Sequence, residues 1–472
     1  MKQIAARIVR IADGAIMPRT TILAFAACIM MAAFALGAGF LVAPVAAESQ
    51  AAHSDTMKRH LGVASCAGST CHGRSVGDGT PVRQDELAIW QEPSSPSGAH
   101  SRAYAVLFQP RGQDIIRRMG LDNAGIADQC LGCHAEPGAA RVEDGVGCEA
   151  CHGAAGTWIA GHYTVGTTHE RSVAQGMTDL VDPKVRAGVC LDCHFGGTAK
   201  GQFAYHRIMG AGHPRISFEL DLFSALEQHW NVDDDYIERK GRPNALRMWA
   251  VGQAEALDRS LDLFQKPGIA EDGMFPEFYF FDCHSCHRRI YDGQDARATA
   301  IANPFRPIPT GYPPYNDENM IMLAAATRVL APDQAGAFDA QVKSFHAAMA
   351  KGRGPAVAEA ARLRGMAKSL SSRFQGSAFT ARQGFAMLDA IASEGVAVRY
   401  TDYEGSVQSV MAMDTLLSGL VAQGAVSEGA ASSLRIDINR AYAAVNDPNA
   451  FDSLAFRSAL ASAVRSIRGM SR

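Results

Sequence analysis

The sequence predicts a mainly α fold in which a loop-rich N-terminal half precedes a C-terminal helical bundle. Two observations carry this. From Ala51 to Arg215 the chain is rich in Gly and short polar segments with little long periodicity, whereas from Ser217 onward apolar residues recur at helical spacing. The composition sets the frame. A chain of 472 residues with 47% hydrophobic and 20% charged residues is globular, which excludes disordered and coiled-coil classes. A net charge of −3 gives no electrostatic case for nucleic acid as a partner.

The first element, residues 1–47, reads as a leader and not as fold. Lys2, Arg7, Arg10 and Arg19 form a basic start, an apolar run extends from Ile22 to Val45, and Val45-Ala46-Ala47 offers a small-residue cleavage site. The reading adopted is a cleaved signal peptide and a periplasmic product. Uncleaved, the run is long enough for a membrane anchor. Removing its four basic residues and Asp13 from the 45 basic and 48 acidic residues leaves 41 and 47.

The second element, residues 48–215, carries the chemistry. Apart from Cys28 in the leader, the cysteines form five close pairs: Cys66/Cys71, Cys130/Cys133, Cys148/Cys151, Cys190/Cys193 and Cys283/Cys286. The residue after each pair is a histidine: His72, His134, His152, His194 and His287. C-x-x-C-H is the attachment site of c-type haem. Two thiols a turn apart bond the two vinyl groups on one porphyrin edge, and the next residue is carried under the ring as an iron ligand. A zinc ribbon or a redox dithiol needs no histidine after every pair. The first motif, Cys66-Ala-Gly-Ser-Thr-Cys71-His72, has four intervening residues in place of two and is read as a haem site with a looped-out linker. Five covalent haems c follow. Porphyrins then supply the apolar core, which explains a loop-rich chain here.

Ten histidines remain for the far side of the irons: His53, His60, His100, His162, His169, His206, His213, His229, His284 and His346. Nine lie alongside the motifs, which favours ligation. Ser97 and Gly98 are expected to cap a short helix carrying His100 through Leu107 and ending near Pro110.

In the third element, residues 216–303, Phe218, Leu222, Phe223 and Leu226 fit one helix and Leu246, Trp249, Ala250, Leu257, Leu261 and Phe264 another. The fifth motif follows in Phe278-Tyr-Phe-Phe-Asp-Cys-His-Ser-Cys-His287, with Arg288 and Arg289 as candidate partners of haem propionates. Residues 304–315, with Pro304, Pro307, Pro309, Pro313 and Pro314, read as a stiff connector. Residues 316–472 hold no cysteine and carry helical patterning near 319–329, 335–349, 355–374, 380–394, 403–423, 428–445 and 452–468, the pattern of an antiparallel bundle.

The segment from about residue 60 to 195 resembles the tetrahaem cytochrome c-554 family, electron carriers of bacterial hydroxylamine oxidation. The resemblance rests on Asp144-Gly-Val-Gly-Cys-Glu-Ala-Cys-His-Gly153 with Ala160-Gly-His162, on Cys130-Leu-Gly-Cys-His134, and on Gly98-Ala-His-Ser-Arg-Ala-Tyr104. The longer first motif, a fifth motif and some 180 further residues depart from it. The resemblance implies ligand pairings: His100 opposite His152, His162 opposite His72, and no protein ligand opposite His134. His206 and His213 are the candidates for His194 and His287.

Two functions are carried forward. The preferred one is an electron carrier between redox partner proteins. The alternative is a multihaem oxidoreductase acting on a small nitrogen or sulfur compound at one open iron. Haem propionates make the holoprotein acidic, so a basic face on a partner is steered towards it.

Overall fold

The computed structural model describes residues 59–77, 83–139, 141–215, 217–270, 274–287, 305–309, 311–400, 402–447 and 450–471. The expected leader, His53, Pro304, Arg288 and Arg289 lie outside them. Among the described residues the chain is helical, and its one extended pairing is an isolated antiparallel bridge between Phe281 and Tyr315. No described helix is long and apolar enough to cross a membrane.

Between residues 59 and 186 the structure consists of short helices and 3₁₀ turns. The buried hydrophobic residues described there are only Val63, Trp90, Leu107, Ala135, Ala155 and Trp158. That is too little apolar area to offset the ordering entropy of such a length of chain. The region around His100 differs from expectation. It forms three 3₁₀ turns, Pro96–Gly98, His100–Arg102 and Ala105–Phe108, and Pro110 begins a helix, α1 (Pro110–Met119), instead of ending one. Gln109 before it is extended, as residues before proline tend to be, and a proline in the first helical turn loses no hydrogen bond.

The next long helix, α2 (Pro183–His194), ends on the fourth motif. Asp182 caps it by accepting from the backbone N–H groups of Lys184 and Val185. Beyond it come α3 (Leu220–Leu226) and α4 (Ala245–Gln265). Of these, α4 is buried on nearly every side, between α2, α3 and the bundle. A Cβ on Gly252 would sit 2.6 Å from the Cβ of Leu220, so a side chain there would push α3 off α4. Arg259 of α4 donates to Asp192 and to the carbonyl of Gly196, which ties the fourth motif to this central helix.

The bundle is α5 (Glu318–Leu330), α6 (Pro332–Met349), α7 (Arg353–Gln375), α8 (Ala381–Val396), α9 (Tyr403–Ala422), α10 (Glu428–Ala444) and α11 (Ser453–Met470). All seven lie where the periodicity places them, within a few residues at each end. The proline-rich connector folds back beside the fifth motif: Asp282 N–H donates to Pro314 O at 2.9 Å and Asn316 N–H to Phe280 O at 2.8 Å. One apolar core runs from Ala187 and Leu191 on α2 through α4 to Ile467 on α11.

Candidate haem sites

All ten described cysteines carry free thiols, and each pair lies on one turn of chain. In the second motif the N–H of His134 returns to the carbonyl of Cys130 at 3.0 Å, and in the fifth His287 returns to Cys283 at 2.8 Å. The longer first motif closes in the same way. His72 N–H reaches Cys66 O at 3.2 Å, while Cys71 and Gly73 N–H both donate to Gly68 O, so the two extra residues loop out. The third and fourth motifs close within helical turns at Cys148–His152 and at the end of α2.

Two of the ten cysteines depart from a placement within a haem-filled core. Cys71 and Cys286, the second cysteines of the first and fifth motifs, are exposed, while the other eight are half-buried. For Cys286 the cause is local. It closes the 3₁₀ turn Cys283–Ser285 from outside, with its N–H on Cys283 O at 3.2 Å and its Sγ beside the hydroxyl of Ser285 at 3.8 Å. The bundle holds the first cysteine of that pair, through Glu404 on Cys283 N–H, and leaves the second at the surface. A thioether needs reach to a vinyl group at the porphyrin edge and not a packed pocket, so an exposed Cys286 is compatible with that chemistry.

The structure faces each motif histidine with one other histidine. Ring centroids are 6.2 Å apart for His72/His162, 6.2 Å for His134/His213, 6.3 Å for His152/His229, 6.0 Å for His194/His100 and 6.0 Å for His287/His206. A metal bonded to one nitrogen of each ring at about 2 Å separates two imidazole centroids by roughly 6 Å, so these gaps have the width a six-coordinate iron needs.

Hydrogen bonds aim several of the rings. Nδ1–H of His72 donates to Glu86 Oε2 at 3.0 Å, of His134 to Ala103 O at 2.7 Å, of His213 to Pro214 O at 2.8 Å and of His229 to Glu227 O at 3.0 Å. His100 Nδ1 meets Glu227 Oε2 at 2.9 Å. Bonding Nδ1 fixes the tautomer and leaves Nε2 as the ligand atom. Burial holds His152 and His194 neutral, pushed down to about 3 and about 4, and the neutral ring is the form that ligates.

Two expected pairings differ. His100 stands opposite His194 and not His152, because the stretch after α3 inserts between them. There Glu227 holds His100 and His229 turns onto His152. The expected gap opposite His134 is closed by His213. Gly212, at φ +118°, turns the chain back, and Arg111 Nε donates to its carbonyl at 2.9 Å. His162 faces His72 as the resemblance implies, and His206 faces His287. His229 was not singled out from the ten, since its flanks carry no motif.

Carboxylates that sequence reasoning passed over also position the sites. Glu149, inside the third motif, is buried and accepts from the N–H groups of Leu61 and Gly62 at 2.8 and 2.7 Å, clamping the approach to the first motif. The thiols of Cys66 and Cys148 lie near enough to interact, as do those of Cys133 and Cys193, so first and third motifs lie together, and second and fourth. Four described histidines face no motif: His60 bonds Glu136, His169 bonds Asp179, His346 bonds Asp317, and His284 stacks near Tyr403 and Phe451.

This is the architecture of a protein that attaches haem through cysteine pairs. Residues 65–153 match the family described as cytochrome c554 and c-prime, and this match supports a c-type cytochrome that binds haem covalently and takes part in electron transfer. That stretch takes in the first three motifs. Comparison with curated proteins and with solved structures finds no match.

Proposed function

We propose that the protein is an exported, periplasmic pentahaem cytochrome that passes electrons between redox partner proteins, with every iron held between two histidines. The five facing histidine pairs carry the reading, since each joins one motif histidine to one histidine outside the motifs at the same spacing. Thioethers form at Cys66/Cys71, Cys130/Cys133, Cys148/Cys151, Cys190/Cys193 and Cys283/Cys286. The axial ligands are His72 with His162, His134 with His213, His152 with His229, His194 with His100, and His287 with His206.

The contacts between motifs support one order of transfer. The interacting thiols join first to third and second to fourth. Glu227 lies between the ligands of third and fourth. His206 and His213, seven residues apart on one short segment, join fifth to second. The sequence is first, third, fourth, second, fifth. Exposure of Cys71 and Cys286 at the two ends of this order supports exchange with partners there. The protein supplies neutral imidazoles, buried orientation and fixed spacing, and the bound haems supply the one-electron chemistry.

Carbon monoxide tests the reading. The reduced holoprotein is expected to bind none, because every iron is six-coordinate. Binding at about one site per chain, with turnover of hydroxylamine or nitrite, moves the protein to the oxidoreductase class.

A further inference from the structure

Beside the fifth motif lies a buried knot of charge that haem binding does not use. Asp282 directly precedes Cys283, and Asp402 and Glu404 start α9; all three are buried, and one oxygen of each lies within 4.8 Å of the other two. Asp282 and Glu404 each have one oxygen engaged, and Asp402 has both. Asp282 Oδ1 accepts from Ser285 N–H at 2.9 Å and Glu404 Oε1 from Cys283 N–H at 3.1 Å. Asp402 accepts from Gly405 N–H at 2.9 Å and from Arg306 Nη2 at 2.9 Å. Asp282 Oδ2 and Glu404 Oε2, on side chains 3% and 2% exposed, have no hydrogen-bond partner. Buried Asp317 and Glu318 bring the local carboxylates to five, and they meet two arginines, Arg215 and Arg306. Bare carboxylate oxygens in a dry site are strongly disfavoured unless a counter-charge satisfies them.

We infer that Asp282, Asp402 and Glu404 form a calcium site set against the fifth haem motif. The donors are all hard oxygens, with no thiolate or imidazole for a softer metal. At Ca–O bonds of about 2.3–2.6 Å, oxygens sharing one ion are at most about 4.6–5.2 Å apart, and the three carboxylates lie within that reach of one another. Magnesium, at about 2.0–2.1 Å, requires a tighter octahedron. The ion satisfies both bare oxygens. Through Glu404 it fastens α9 to the backbone of Cys283, and its charge favours the reduced form of the fifth haem.

The rival way to relieve the same crowding is one proton shared between Asp282 and Glu404, and the experiment separates the two. Full-length, haem-loaded protein is stripped with a chelator and titrated with calcium chloride by calorimetry, with bound calcium counted by elemental analysis. One calcium per chain and a rise in Tm are expected. Glu404→Gln, which keeps the acceptor for Cys283 N–H, and Asp282→Asn should each lower calcium affinity at least about tenfold, with unchanged haem spectra as the folding control. Wild-type protein that takes up no calcium, or variants that bind it as tightly as wild type, would overturn the assignment.

Discussion

Glu227→Gln should raise the reduction potential of one haem. The carboxylate meets His100 Nδ1 at 2.9 Å and is half-buried. Burial pulls the His100 ring down, but the bond from Glu227 overrides it and holds the ring above its ordinary value. A ligand bonded to an anion is more basic and favours oxidised iron. Glutamine keeps the shape and removes the charge. A hydrogen bond to a charged group contributes roughly 1 kcal/mol more than a neutral one, and 59 mV corresponds to about 1.4 kcal/mol for one electron, so the rise is on the order of 40 mV. The haem that uses His229 should move less, because His229 bonds the backbone carbonyl of Glu227, which the substitution leaves in place. A redox titration followed by EPR reads each haem, and His100→Ala, which turns one low-spin iron high-spin, marks the one concerned. Equal shifts at both haems, or none, would refute the assigned contact.

Crossed rings at His134/His213, His152/His229 and His194/His100, with interplanar angles of 88°, 80° and 75°, should give three low-spin EPR signals of the strongly anisotropic kind. The flatter pairs His72/His162 and His287/His206, at 20° and 34°, should give two rhombic ones. His213→Ala and His229→Ala should each convert one anisotropic signal to high spin and leave all haems attached; an unchanged spectrum removes that pair. Intact mass of the secreted protein should equal the chain from Glu48 plus five haems, and four haems would mean the longer first motif attaches none. Buried His346 is held neutral, pushed down to about 3 by burial and by Arg306, against about 6.5 when unfolded. Its contribution to stability is therefore complete above about pH 6.5 and lost as pH falls from there towards 3, by up to about 1.4 kcal/mol per pH unit. Denaturant midpoints at several pH values should show that slope reduced in His346→Gln.

How much of this was legible in the sequence follows the range of the interactions. The bundle was readable because helical period, glycine breaks and caps such as Asp402 and Ser427 are local signals. The attachment motifs were readable because their chemistry fits in a few adjacent residues. The looped-out linker of the first motif was readable too, though the backbone bond that closes it, from His72 to Cys66, was not. Nor was the exposure of Cys286, which depends on how the bundle meets the turn before it. The facing histidines were hardest. Each partner comes from 77 to 94 residues away, and nothing beside His229 or His213 marks its target. The family resemblance reaches residue 195, so it had no information on the segments carrying Glu227, His229 and His213. It therefore left His134 unpaired and assigned His100 to the wrong neighbour. Pro110 misled for another reason: the same residue ends one helix or starts the next, and only the chain before it decides.

The facing pairs also describe how the N-terminal half is tied. His72 to His162, His100 to His194, His134 to His213, His152 to His229 and His206 to His287 are five long spans, and each later one begins before the previous one closes. With iron at each, the backbone becomes an interlaced lashing in which slack at one tie is taken up by its neighbours. A cross-link closing a loop of some 80 residues removes roughly 4–5 kcal/mol of unfolded-state freedom, though overlapping loops do not add in full. The half with so few buried apolar side chains would thus be bound together by its metals, and assembly would have an order built in. A haem seated on His134, as proposed, would wait for chain not synthesised until His213, so later segments would finish the sites begun by the first.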